Sequence, residues 1–217
     1  ASLSVGAIND ITSKAFGTSS IMIGDNATGT IDAADNNTGL GVDVFAALTT
    51  GDNNTAAGFN SLTSNTTGGA NSSFGTYSLD ANTTGSENTA IGKSALGGNT
   101  TGANNTALGR HALLANTTGA NNVAVGYNAL DANTTASFNT SIGNSSLGAT
   151  TTGASNIGIG HQAMFTNTTG AQNVGIGHGS LYNNTTASNN TAVGYFSLVA
   201  NTTGSENTAV GRLSLDA

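Results

Sequence analysis

Few residues in this chain could carry out chemistry, and their spacing does not gather them. Of the three histidines, His161 and His178 are 17 residues apart, and stacking of equivalent positions would set them side by side as a two-ligand metal site. Neighbours in the same phase, Lys93, Tyr127, Asn144 and Tyr195, vary freely, which marks that column as a tolerant outer face and leaves His111 alone in another phase. The carboxylates do not pair either: Glu87 and Glu206 lie far apart, as do Asp80 and Asp131. Six of the eleven acids, Asp10, Asp25, Asp32, Asp35, Asp43 and Asp52, crowd the first quarter, where they read as a solvated acidic end. Serine and threonine abound, but no histidine and acid recur with them in the phase a nucleophilic triad needs. The glycines do not form a phosphate loop: the position five before Gly92-Lys93-Ser94, where the loop needs a glycine, is Glu87. The residues point to no enzyme, no metal site and no cofactor.

What recurs instead is a unit of 17 residues, seen whole in Asn88-Thr89-Ala90-Ile91-Gly92-Lys93-Ser94-Ala95-Leu96-Gly97-Gly98-Asn99-Thr100-Thr101-Gly102-Ala103-Asn104. Its glycine keeps phase without insertion or deletion from Gly24 and Gly41 through Gly58, Gly75, Gly92, Gly109, Gly126, Gly143, Gly160, Gly177, Gly194 and Gly211. A period held over that length means that each copy is one structural unit stacked on the last. Composition agrees. The 217 residues include no cysteine, proline or tryptophan and only 7% charged residues, yet branched apolar residues recur at fixed phase, which separates the chain from disordered low-complexity tracts.

The columns of the repeat specify the coil. Before the glycine stands a large apolar residue (Phe74, Ile91, Leu108, Val125, Ile142, Ile159, Ile176, Val193, Val210), the expected core of a short strand; before that stands a small one, such as Ala90. Four after the glycine comes Leu62, Leu79, Leu96, Leu113, Leu130, Leu147, Met164, Leu181, Leu198 or Leu215, predicting a second strand beyond a glycine bend. The Asn-Thr-Thr-Gly segment then turns the chain, with Gly or Ala as its permissive position. Two strands and two turns in this span leave no room for a helix. The fold class expected is all-β: a parallel β-solenoid, or β-roll, of about twelve coils with Gly58 to Gly211 at equivalent bends. Residues 1–23 form an irregular lead-in and cap, 24–52 degenerate repeats, and 53–217 regular ones. Asparagines in two phases, Asn65 to Asn133 and Asn88 to Asn173, should stack amide on amide. Restriction of adjacent positions, Ala90 with Ile91 and Ala95 with Leu96, predicts that one column fills the interior while the other meets a second surface.

Charge and hydropathy narrow the partners. With net charge −7 and only Lys14, Lys93, Arg110 and Arg212, dispersed one by one, there is no cationic footprint for nucleic acid. No apolar run nears the roughly 20 residues that span a bilayer, and the chain opens without a basic-then-apolar leader, as a mature, processed form would. Sequons are dense, and those borne by the turn, Asn65, Asn82, Asn99, Asn116, Asn133, Asn167 and Asn201, are candidate exposed sites of N-glycosylation. The final repeat stops in mid-coil, so end-to-end joining is expected, with Ile8, Ile11, Ile21 and Ile23 of one copy meeting Leu213 and Leu215 of the next.

The recurrent Asn-Thr-Ala-Ile/Val-Gly, at Asn88 to Gly92, Asn122 to Gly126, Asn190 to Gly194 and Asn207 to Gly211, resembles the head repeat of trimeric autotransporter adhesins and related repeats of phage tail fibres. That resemblance, over residues 53–217, implies a left-handed β-roll with three chains side by side, exposed on a surface and used for attachment. The expected function is an extracellular structural or adhesive fibre whose partners are its own copies and a host-surface or matrix ligand. A tail-fibre segment and an ice-binding solenoid are the alternatives. The ice reading rests on the Thr66-type column and the threonine after it, but of two adjacent threonines only one can face outward.

Overall fold

The computed structural model describes residues 34–216 and, as backbone, Ser13–Lys14 and Ile21–Ile23. The strands come first from the strand-favouring triplet before each glycine. β1 (Ser13–Lys14) and β2 (Ile21–Ile23) are followed by one triplet per repeat: β3 (Thr38–Leu40), β4 (Thr55–Ala57), β5 (Ser72–Phe74), β6 (Thr89–Ile91), β7 (Thr106–Leu108) and β8 (Val123–Val125). β9 (Thr140–Ile142), β10 (Ile157–Ile159), β11 (Val174–Ile176), β12 (Thr191–Val193) and β13 (Thr208–Val210) complete the series. All lie in one sheet in chain order, and from β2 to β13 each strand pairs in parallel with the residue 17 positions away, as in Ala90 with Ala107. The fold is an all-β parallel β-solenoid, with no helix among the described residues. At about 4.8 Å per strand the stack runs roughly 50 Å. The lead-in is already part of it: Ile21–Ile23 pairs with β3 in register, and β1 lies antiparallel on β2, ending the parallel ladder.

Gly92 shows why the register residue is glycine. Its φ is +132°, and a Cβ there would stand 2.7 Å from the carbonyl oxygen of Gly109 in the next coil. The backbones approach too closely for any side chain, and the same holds along the column from Gly58 to Gly194.

Three expectations are corrected. The apolar residue before the glycine is not core: Ile91 is 40% exposed, Leu108 44% and Val210 70%, whereas the small residue beside it, Ala90 or Ala107, is fully buried. Successive strand residues face opposite sides, and the coil is too narrow for a large side chain on its strand wall. The leucine column fills the space from across the coil; a Cβ at Gly158 would already touch Leu147 Cγ at 3.0 Å. The predicted second strand is absent. The segment after Gly92 is a run of turns in which Ala95 N donates to Gly92 O, Gly97 N to Ser94 O and Asn99 N to Leu96 O, while Ser94 and Leu96 sit at φ +55° and +51°. Turns do not alternate like strands, so Ala95 and Leu96 are both buried and neither meets a second surface. Finally, the left-handed position of the Asn-Thr-Thr-Gly segment is not its glycine but the residue two on, such as Asn104 at φ +59°. Inter-coil hydrogen bonds hold each unusual residue: Ser94 N to Thr76 O, Leu96 N to Ala112 O and Asn104 N to Ser86 O.

Buried amides complete the interior. In one ladder Asn105 N donates to Asn88 Oδ1 (3.0 Å) and Asn105 Nδ2 to Gly119 O (2.8 Å), a pattern repeated from Asn54 to Asn207. In the other, Asn99 Nδ2 donates to Asn82 Oδ1 (2.8 Å) and to Gly102 O (2.9 Å). The second ladder breaks where Thr150 replaces asparagine: Asn133 Oδ1 is buried without a partner, and Asn167 Nδ2 reaches Thr150 Oγ1 only at 3.4 Å. The degenerate first coils obey the same geometry, since Phe45 takes the leucine position and Gly39 opposite leaves room for its ring.

Thr150→Asn should raise stability by about 1 kcal/mol by supplying the missing donor, read as a higher melting temperature. Leu113→Asp, which places an unpaired charge in the fully buried column, should cost several kcal/mol, whereas Arg110→Ala on the surface should stay within about 0.5 kcal/mol. Equal melting temperatures for those two would refute the column assignment.

Candidate functional site

The strand places two columns on the outside of the rod. One is the Thr89 column, mostly threonine; the other is the apolar Ile91 column, whose neighbours Leu40, Phe74, Leu108, Ile142, Ile176 and Val210 are all exposed. Beyond the glycine bend a third outward column holds Phe59, Tyr127, His161, His178 and Tyr195 together with the cations Lys93, Arg110 and Arg212. His161 and His178 stack there with ring centroids 4.8 Å apart, as their spacing predicts. Tyr195 lies 5.4 Å from His178 and carries the Arg212 guanidinium over its face at 5.6 Å. Arg110 covers Tyr127 in the same way. Among the described residues no three histidines and carboxylates converge on one point.

The threonine pair of each turn divides its work. Thr100 Oγ1 donates to Thr117 O (3.0 Å), and the same bond recurs from Thr49 to Thr185, so the first threonine's hydroxyl is spent on the backbone of the next coil. The second, Thr101 and its equivalents, is exposed; its N–H donates to the next coil, as Thr101 N does to Thr117 O, but its hydroxyl has no hydrogen-bond partner among the described residues. One threonine of each pair thus faces outward.

The sequon asparagines lie elsewhere than expected. Asn65, Asn82, Asn99, Asn116, Asn133 and Asn167 are fully buried in the ladder, and only Asn201, in the last described turn, is partly exposed. Both N–H groups of Asn99 Nδ2 are engaged, so a glycan on that nitrogen would remove a bond and occupy packed space. Their reading as exposed modification sites is corrected for this reason. Other sequons, Asn53, Asn104, Asn144, Asn183 and Asn189, do face outward.

Of the residues named for end-to-end joining, Ile8 and Ile11 lie outside the described residues, as do the side chains of Ile21 and Ile23. Leu213 is partly exposed and Leu215 58% exposed. Asp10, Asp25 and Asp32 are also outside, while Asp52 Oδ1 accepts from Asp35 N at 2.7 Å. Two acids of the turn segment are electrostatically costly. Burial, outweighing hydrogen bonds from backbone N–H groups, pushes the carboxyls of Asp80 and Asp131 above the ordinary range; His111 offsets part of this at Asp131. Asp80 has its room because Gly97 follows it in the column: a Cβ there would be 3.2 Å from Asp80 Oδ1.

No protein-family model, curated protein or solved structure matches the chain.

A carboxyl raised in the folded state adds stability only while protonated, and loses it as pH climbs through the raised value. Asp80→Asn should therefore raise the melting temperature at pH 7, and the gain should vanish near pH 3, below the ordinary carboxylate value of 3.8. Parallel melts of parent and variant across that range are the check.

Proposed function

We propose that the chain is a non-enzymatic, extracellular structural and adhesive rod that associates side by side with copies of itself. The observation that carries this reading is the outward apolar column from Leu40 to Val210. A strip roughly 50 Å long and about 10 Å wide presents on the order of 500 Å² of largely apolar surface, at the upper end of what a lone soluble protein leaves uncovered. Its repeat also narrows the choice of partner. Apolar side chains advance by one coil rise along a straight line, and a second rod of the same period can meet every one of them in the same geometry. A globular partner with no such repeat cannot.

Further support comes from the resemblance of Asn88 to Gly92 and its equivalents to the head repeats of trimeric adhesins and tail fibres, which suits three rods sharing this column. Low charge, with regular coils and no convergent acid, base and nucleophile among the described residues, suits a rod whose task is reach and attachment. The ice-binding alternative is less favoured: Phe74 and Leu108 protrude unevenly from the strand face, Lys93 and Arg110 stand out beyond the bend, and the inner threonine of each turn has its hydroxyl turned to the backbone.

Native mass is the test. The parent chain should run as a defined oligomer, and the triple variant Ile91→Lys, Leu108→Lys, Ile142→Lys as a monomer with unchanged far-UV circular dichroism, because those side chains are exposed and add nothing to the interior. A monomeric parent at tens of micromolar would remove the reading.

A further inference from the structure

Outside the apolar column, the exposed positions of the repeat drift, with one exception. The outermost residue before each buried ladder asparagine runs Asn53, Ala70, Glu87, Asn104, Asn121, Phe138 and onward without pattern, as a solvated position should. The exposed threonine that starts at Thr50 is threonine again every 17 residues to Thr203. Packing does not require it, since it is exposed, and no hydrogen bond within the described chain uses its hydroxyl.

Over the coils of Thr50, Thr67 and Glu87 an open groove of about 330 Å³ lies beside this row. Its walls are the threonines and the drifting column, and its floor is a column restricted to Gly, Ser or Ala from Gly69 onward; the same three columns continue along the rod. The floor also presents unused donors. Where the next coil supplies a serine, the floor N–H is satisfied: Ala120 N donates to Ser137 Oγ (3.0 Å) and Ala171 N to Ser188 Oγ (3.0 Å). Where the next coil supplies alanine, as beyond Ala103, Ser137 and Ala154, the N–H finds no acceptor among the described residues. Two of these, Ser137 and Ala154, adjoin Phe138, an aromatic ring 63% exposed in the drifting column.

We infer that this groove binds a linear neutral polysaccharide lying along the rod axis, centred on Phe138. An extended β-1,4-linked pyranose chain advances by about one coil rise per sugar and turns over at each linkage, so every second coil meets equivalent atoms. The threonine hydroxyls, able both to donate and to accept, face the sugar hydroxyls. The free N–H groups of Ser137 and Ala154 donate to sugar oxygens, and the Phe138 ring covers an apolar pyranose face. No lysine or arginine occurs in the three columns, and Asp52 and Glu87 add negative charge, so polyanionic glycans are disfavoured. The inference deepens the attachment reading and rests on it. The groove and the apolar column remain separate features, with the buried ladder asparagine between the groove wall and the strand.

Titration with cellohexaose, followed by calorimetry and by amide NMR shifts, tests this. Binding is expected, with shifts at Ser137, Phe138 and Ala154. Phe138→Ala should weaken it at least tenfold, as should the triple variant Thr118→Val, Thr135→Val, Thr152→Val, which keeps side-chain shape and removes the hydroxyls. Ala154→Ser with Ala171→Ser supplies the missing acceptors from within the chain, so this variant should melt no lower than the parent and bind more weakly. The inference is overturned if the parent shows no binding at millimolar cellohexaose, if Phe138→Ala binds as the parent does, or if heparin binds in preference. Native mass measured on the same samples separates the two readings: an oligomer that ignores the hexaose loses only the groove, and a monomer that binds it loses only the lateral association.

Discussion

Everything in this rod depends on the close approach of successive coils, held by hydrogen bonds between residues 17 positions apart. Backbone groups of the strands, the turns and even the left-handed leucines all pair with the adjacent coil, so no coil can shift without breaking a full ring of bonds. That approach explains the glycine column, where the carbonyl of one coil sits against the α-carbon of the last. It also makes an amide-rich interior workable. A buried asparagine without partners would cost about 1–3 kcal/mol. Here both side-chain groups are met, because the adjacent coil supplies an identical amide and the asparagine's own turn supplies a carbonyl within reach.

The narrow cross-section then sets where apolar surface goes. In the regular repeats the interior accepts one large apolar side chain per coil, the leucine column, opposite a small residue on the strand. The large residue next to that small one must face out. A lone rod would gain nothing from keeping it branched and apolar over so many coils, which is why the column is read as a surface made for another rod. Substitutions inside obey a volume rule, as Phe45 opposite Gly39 and Met164 opposite Gly175 show, whereas the break at Thr150 leaves an amide oxygen stranded.

The proposed function rests on columns rather than on a pocket. In a solenoid, any outward position repeats in a line, so a weak contact made once per coil becomes a long surface, and its meaning lies in which columns are held constant. The threonine row and the apolar column are held; the column of His161, His178 and Tyr195 is not. The first two therefore carry the proposals for glycan binding and assembly. The stacked histidines remain neighbours by geometry, with no third ligand beside them among the described residues.

The sequence by itself determined the period, the parallel stacking, the glycine bends and the leucine core, because each is set by spacing and local sterics that repeat in every copy. The asparagine ladders were legible for the same reason. Which face of each triplet turned inward was not legible: alternation says that Ala90 and Ile91 oppose one another, but only the width of the closed coil decides that alanine is inside. The turns after Gly92 were misread as a strand because Ser94 and Leu96 carry no local signal for a left-handed backbone; bonds from neighbouring coils hold them there. The sequons failed likewise. Asn65 and Asn82 have the residue types of an exposed turn, and tertiary stacking placed them in the interior, since only there can every amide meet the next.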